Sequence, residues 1–138
     1  MTTLTGGCHC GRVRFEVDVQ TFEALDCNCS ICTKKGFLHL IVPRERFRFL
    51  PGIAEAATVS ATTPLAEHPS LTTYTFNTHT AKHTFCTTCG IHGFYVPRSH
   101  PDGVDVNVRA LDGDDPLARF RITPFDGRRW EDNVASIR

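Results

Sequence analysis

Every cysteine in this chain stands within three positions of another. The seven fall as Cys8-His9-Cys10, Cys27-Asn28-Cys29-Ser30-Ile31-Cys32 and Cys86-Thr87-Thr88-Cys89-Gly90. Zinc takes four thiolate or imidazole ligands, with sulfur at about 2.3 Å, so two neighbouring cysteines fill half a tetrahedron and a distant pair completes it. The spacing predicts a division of four plus three. Cys8, Cys10, Cys86 and Cys89 close one full thiolate site, and Cys27, Cys29 and Cys32 hold a second zinc with one position left open. Two zinc ions per chain are therefore expected.

Glycine supports the first assignment. A pair of cysteines followed by glycine suits the knuckle of a β-hairpin, because glycine takes the positive φ that wraps backbone around a metal. Cys10-Gly11 and Cys89-Gly90 both have it, and strand-like runs flank each. The middle cluster has a different local signature: Ser30 as a helix cap, Cys32 in the first turn, Lys34 and Lys35 in the last and Gly36 as the stop. A helix start and two lysines favour thiolates there. The odd cysteine count and the absence of a secretory signal argue against a disulfide framework. A third cysteine two residues upstream fits a metal better than a redox pair at Cys29 and Cys32. The competing expectation is a second structural zinc completed by a histidine such as His39, His83 or His92.

The 138 residues suit one domain, 1–138, and ten phenylalanines supply a core. Fifteen basic and fifteen acidic residues balance, so the total charge advertises neither nucleic acid nor an anionic membrane. Seven thiolates and two dipositive ions would bring the loaded chain to about −3. No apolar run has transmembrane length and no targeting segment stands out, and zinc thiolates need a reducing compartment, so the cytoplasm is expected.

Leu4 to Cys8 and Arg12 to Val19 are predicted hairpin arms, the second alternating Val13, Phe15, Val17 and Val19 with charged residues. Phe22 to Asp26 leads into the middle cysteines and Phe37 to Val42 leaves them, closed by Pro43. Arg44 to Leu50 alternates basic and apolar residues as a half-exposed strand would. From Ile53 to Ser70 small and polar residues dominate, so 53–70 is expected to be a flexible insertion that tolerates deletion. Strand pattern resumes from Leu71 to Phe76 and from Lys82 to Phe85, and Val104, Val106 and Val108 alternate with Asp105, Asn107 and Arg109. Arg119 to Ile122 is the last strand, before a closing turn at Phe125-Asp126-Gly127 and a short helix with Trp130.

Taken with Gly7 and Gly11 around the first knuckle, Tyr95-x-Pro97-Arg98-Ser99, Asn107-Val108-Arg109-x-Leu111-Asp112 and Phe125-Asp126-Gly127-x-x-Trp130, the cysteine pattern resembles the glutathione-dependent formaldehyde-activating enzyme family, also called the centromere protein V family. The match spans nearly the whole chain outside Ile53 to Ser70. The resemblance implies a mainly antiparallel β fold of the β-tent type with short helices, a structural zinc on Cys8, Cys10, Cys86 and Cys89, and a second zinc on Cys27, Cys29 and Cys32. Its named activity is condensation of glutathione with formaldehyde to S-hydroxymethylglutathione, a carbon-sulfur lyase reaction written in reverse.

A zinc with three thiolates is a weak Lewis acid and disfavours hydrolysis; its soft sphere accepts a fourth thiolate and so suits capture of a small thiol substrate such as glutathione. His92, three residues after Cys89, is the candidate for proton transfer, and Arg98 with Ser99 for binding a substrate carboxylate. An ordinary strand histidine and a structural Arg98 salt bridge are the plain alternatives. A nucleobase deaminase would need an H-x-E and P-C-x-x-C pattern that is missing. A zinc ribbon would want its pairs about 15 to 20 residues apart, whereas Cys10 and Cys86 are 76 positions apart. The remaining rival is a non-catalytic, zinc-stabilised protein-binding module. An open metal position facing a pocket favours the enzyme, and a protein side chain there favours the module.

Overall fold

The structure is a computed structural model that describes residues 1–53 and 59–138. It is mainly β, with antiparallel sheets and few short helices, as expected. Strands β1 (Thr2–Gly7), β2 (Arg14–Val19) and β5 (Phe47–Leu50) form one sheet in the order β1-β2-β5. A second sheet has the order β10-β3-β4-β9-β8, from β3 (Glu23–Cys27), β4 (Leu38–Pro43), β8 (Phe94–Tyr95), β9 (Gly103–Asn107) and β10 (Arg121–Phe125). The hairpin of β6 (Leu71–Tyr74) and β7 (His83–Cys86) carries the second cysteine knuckle. All pairings are antiparallel except β3 with β10, which run parallel and bring Phe125 opposite Cys27.

Period-two alternation sorts the five-stranded sheet into two faces. Ala24, Leu38, Leu40, Val42, Val104, Val106 and Phe94 are buried toward one side. They meet the inner residues of the three-stranded sheet, where Phe15 packs on Phe47 at 5.1 Å and Phe47 on Phe94 at 4.9 Å between ring centres. The other face presents Leu25 opposite His39, Asp105 opposite both Ile41 and Tyr95, and Asn107 opposite His39. Asp105 and Asn107 therefore do not face solvent, as alternation in a half-exposed strand would have them: all five residues of β9 are buried. This polar face is the floor of the candidate site.

Helix α1 (Ser30–Lys35) follows the sequence reading except at its start. Its cap is Cys29, whose sulfur accepts from the Cys32 N–H at 3.4 Å, and not Ser30. The chain then stops at Gly36, with Lys34 and Lys35 in the last turn. The stretch 53–70 departs further. Residues 54–58 lie outside the described residues, but Leu65 and His68 are 5% and 2% exposed, Val59 packs on the core, and Phe49 N donates to Ala61 O at 3.1 Å. Its second half is thus anchored, because two well-placed side chains fill a space that average composition does not reveal. Leu65→Ala should lower stability by about 2–5 kcal/mol, read by denaturant unfolding; a change under about 0.5 kcal/mol would return this segment to the status of a dispensable loop.

Candidate metal centres and the cavity beside them

Two hairpin knuckles far apart in sequence bring Cys8, Cys10, Cys86 and Cys89 together. Gly11 and Gly90 take φ of 84° and 78°, the left-handed turn that a side chain resists. Cys8 N donates to Val13 O at 3.0 Å and Cys86 N to Ile91 O at 3.0 Å, closing two similar loops. Cys8 and Cys10 sulfurs lie 3.6 Å apart, as do those of Cys10 and Cys86, and all four sulfurs lie within 4.8 Å of one another. A tetrahedron of thiolates about 2.3 Å from its centre has edges of about 3.8 Å, so the donor set could hold a metal ion. Backbone and side-chain hydrogen bonds from Arg12 hold the Cys10 thiol down at about 6, while burial pushes Cys86 up to about 12. Four neutral thiols are therefore not what this pocket favours.

The second cluster is built from four segments. Cys27 ends β3, Cys29 caps α1, and Cys32 lies buried in its first turn. His39 on β4 points Nε2 at Cys32 Sγ, 3.1 Å away, and its Nδ1 lies 2.6 Å from Asp105 Oδ2 on β9. Metal-binding histidines characteristically turn their other ring nitrogen to a carboxylate in this way. Cys27, Cys32 and His39 have ligand atoms within 4.8 Å of one another and form a set that could hold an ion. The sulfurs also compete for protons: hydrogen bonds from Cys27 and Cys32 lower Cys29, whereas hydrogen bonding to Cys29 raises Cys27, and Cys27 and Cys29 together raise Cys32. One thiolate forms at the expense of the other two, and a dipositive ion removes that conflict.

The C-terminal turn clamps this cluster from outside. Asn28 N donates to Phe125 O at 3.2 Å, Asn28 Nδ2 to Asp126 Oδ1 at 3.0 Å, and Arg128 N to Asn28 Oδ1 at 3.0 Å. At Gly127 the backbone passes so close that an added Cβ would press into Cys27 Sγ and lie 3.1 Å from Cys29 Cβ. A cavity of about 410 Å³ opens directly on Cys27, Cys29, Cys32 and His39. Leu25, Ile41, Phe76, Tyr95, Phe125 and Trp130 wall it, so the surroundings of the thiolates are largely apolar.

A family model described as glutathione-dependent formaldehyde-activating enzyme matches residues 3–123. The chain belongs to this family. It is also similar to the crystal structure of a Rhodobacter sphaeroides protein, with 32% sequence identity and a TM-score of 0.69 over 88% of this chain and 100% of that one. The family match ends before the turn at Phe125 to Trp130, so the clamp on Cys27 lies outside the matched residues.

Within this fold, the three residues that the sequence offers for chemistry part company. Arg98 and Ser99 reach the cavity wall. Arg98 Nη2 donates to Glu131 at 2.6 Å and its guanidinium lies 3.7 Å from the centre of the Trp130 ring, while Ser99 Oγ is 2.8 Å from His100 Nδ1. The Glu131 side chain is 77% exposed, so that ion pair yields readily to a competing anion. His92 is not among the residues lining the cavity. Its ring packs on Phe85 at 5.0 Å, and burial, with the charge of Lys35, pulls its pKa down to about 4. Sequence reasoning offered His39 only as one of three candidate ligands and passed over Asp105 and Tyr95. The available signal was weak: a polar residue between valines reads as a solvent face unless the second face of the sheet is known to be covered.

Among the described residues no helix is long and apolar enough to cross a membrane.

Proposed function

We propose that this chain is a zinc-dependent, carbon-sulfur lyase-like enzyme that makes or breaks a thiol adduct of a small carbonyl compound, such as S-hydroxymethylglutathione from glutathione and formaldehyde. It would carry two zinc ions, one on Cys8, Cys10, Cys86 and Cys89 and one on Cys27, Cys29 and Cys32, and work in a reducing compartment such as the cytoplasm. The observation that carries the reading is the cavity: a buried structural metal needs no chamber of about 410 Å³ opening on its ligands. When bound to the three cysteines, zinc would supply a soft Lewis acid that holds a substrate thiol as thiolate. The protein's own part is to orient and to exclude water. Apolar walls strengthen charge interactions inside the chamber, and Arg98 exchanges its exposed partner Glu131 for a substrate carboxylate.

A second reading has its own observation. His39 Nε2, 3.1 Å from Cys32 Sγ and backed by Asp105, joins Cys27 and Cys32 in a set that could hold an ion, and so offers the second metal a protein ligand, as a zinc-stabilised binding module would have it. On the enzyme reading, His39 and an incoming thiolate compete for one place.

Cys29→Ser separates the two. Serine is itself a strong helix cap, so its oxygen should keep the bond to Cys32 N while the thiolate is lost. The expected product is a folded protein that melts within a few degrees of wild type, holds one zinc, and neither binds glutathione nor speeds its reaction with formaldehyde. Unfolding on this single change would mark the second site as structural and favour the module.

A further inference from the structure

The cavity wall opposite the thiolates in sequence, on the β6–β7 hairpin, carries a polar group that the reading above does not use. His83, the first residue of β7, is 3% exposed and lines the cavity. Its ring lies between Phe76 and Tyr95, with centre distances of 5.4 Å and 4.6 Å and interplanar angles of 22° and 15°. That sandwich fixes the plane of the imidazole. Behind it, Lys35 from the last turn of α1 places Nζ 3.1 Å from His83 Nδ1, and the same ammonium sits 4.8 Å and 4.6 Å from the Phe37 and Tyr95 ring centres.

Chemistry follows from the donor count. Burial lowers the Lys35 pKa and the charges of Cys32, Asp105 and Cys29 oppose that shift; an ammonium has protons to give and no lone pair, so with Lys35 charged Nδ1 of His83 accepts, and a neutral imidazole then carries its proton on Nε2. Burial, followed by the charges of Lys35 and His92, lowers the His83 pKa to about 4, which keeps the ring neutral at physiological pH. Among the described residues no side chain or carbonyl accepts from Nε2, yet that atom is not among the sealed, partnerless polar atoms of the protein. His83 lines the cavity, and with Nδ1 taken by Lys35, Nε2 is the ring nitrogen left to meet a ligand there.

We propose that His83 Nε2–H is a binding site for the carbonyl-derived oxygen of the substrate, and that Lys35 is the positioning residue that keeps the proton on that nitrogen. The ligand class is an aldehyde oxygen that becomes alkoxide, then hydroxyl, as a thiol adds. The inference rests on the thiol–carbonyl reading and deepens it. In the addition the sulfur–carbon bond forms, the carbon–oxygen π pair moves to oxygen, and the proton shed by the thiol ends on that oxygen. No oxidant or further reactant is needed. A neutral donor with a positive charge behind it stabilises oxygen more as its negative charge grows, so the benefit is greatest in the transition state.

The test uses the full zinc-loaded chain, labelled with nitrogen-15. Long-range nitrogen–proton correlation should show His83 protonated on Nε2 alone. Lys35→Met should move it toward mixed tautomers without loss of fold, and Lys35→Arg should restore the single form. With premixed glutathione and formaldehyde as the probe, adduct exchange is followed by carbon-13 exchange spectroscopy. His83→Phe keeps the ring stack and should cost about 10²–10³ in kcat with little change in KM, and His83→Gln, which retains an N–H, should recover part of it. A proton on Nδ1, or a tautomer indifferent to Lys35, overturns the proposal whatever the activity. Wild-type turnover that His83→Phe leaves intact overturns this role alone. A wild-type protein that does not speed exchange at all sinks the thiol–carbonyl reading and this one with it.

Discussion

Cys86→Ser is expected to leave little or no cooperatively folded protein at room temperature. Cys86 is fully buried and lies 3.6 Å from Cys10, which is 76 positions away, so this sulfur helps tie the first hairpin to the sixth and seventh strands. Structural zinc contributes roughly 10 to 16 kcal/mol of apparent binding free energy in small peptides, against a net stability of about 5 to 15 kcal/mol for an ordinary domain. Serine oxygen is a poor substitute for thiolate, and a buried hydroxyl lacking the metal adds a desolvation cost. Circular dichroism melts with metal analysis would check it. A variant that melts within a few degrees of wild type, still cooperatively, would show that packing alone holds the knuckles together.

Gly127→Ala should empty the second site while the fold survives. The methyl group would collide with Cys27 Sγ, and neither side has room to yield: Cys27 is paired with Phe125 across the strands, and Asn28 is hydrogen-bonded to both Asp126 and Arg128. Forcing the turn outward should cost about 1–3 kcal/mol, the range for overpacking. The displaced sulfur costs more in function than in stability. On the proposed two-zinc reading, zinc content should fall from two toward one, and any glutathione binding should be lost. Retention of both metals at unchanged affinity would show that the turn moves freely.

Some of this was legible before any coordinates. Cysteine spacing and the two following glycines point to Cys8, Cys10, Cys86 and Cys89 as one set, whose sulfurs the fold brings together, because a knuckle is a local device whose signal lies within a few residues; the second set that could hold an ion pairs Cys27 and Cys32 with His39. The β1–β2 hairpin was equally plain, since one of its faces is buried and the other wet. Asp105 shows where such patterning stops. Its alternation with Val104 and Val106 is correct, but alternation says only that two faces differ, and here both are covered. Leu65 and His68 were hidden for the opposite reason, as single anchors within a stretch whose average composition is that of a loop. His92 is the histidine nearest Cys89 in sequence, whereas His83, on the far side of the same knuckle, lines the cavity together with His39. Gly127 stands in the Phe125-Asp126-Gly127-x-x-Trp130 stretch on which the sequence resemblance partly rests, outside the matched residues 3–123, and its purpose is a contact with a residue 100 positions earlier.

The clamp of residues 125–128 on Cys27 and Asn28 fixes when, as well as where, the second site comes into being. A ribosome delivers the three cysteines early, at roughly 5–20 residues per second, and Asp105 and Gly127 many residues later. During that interval the nascent chain exposes a thiol-rich segment with no lid, open to oxidants and to any soft metal that passes. The cluster is covered only once the chain through Gly127 is free to fold. Products that stop short of this turn would therefore be reactive thiol peptides with the cluster uncovered.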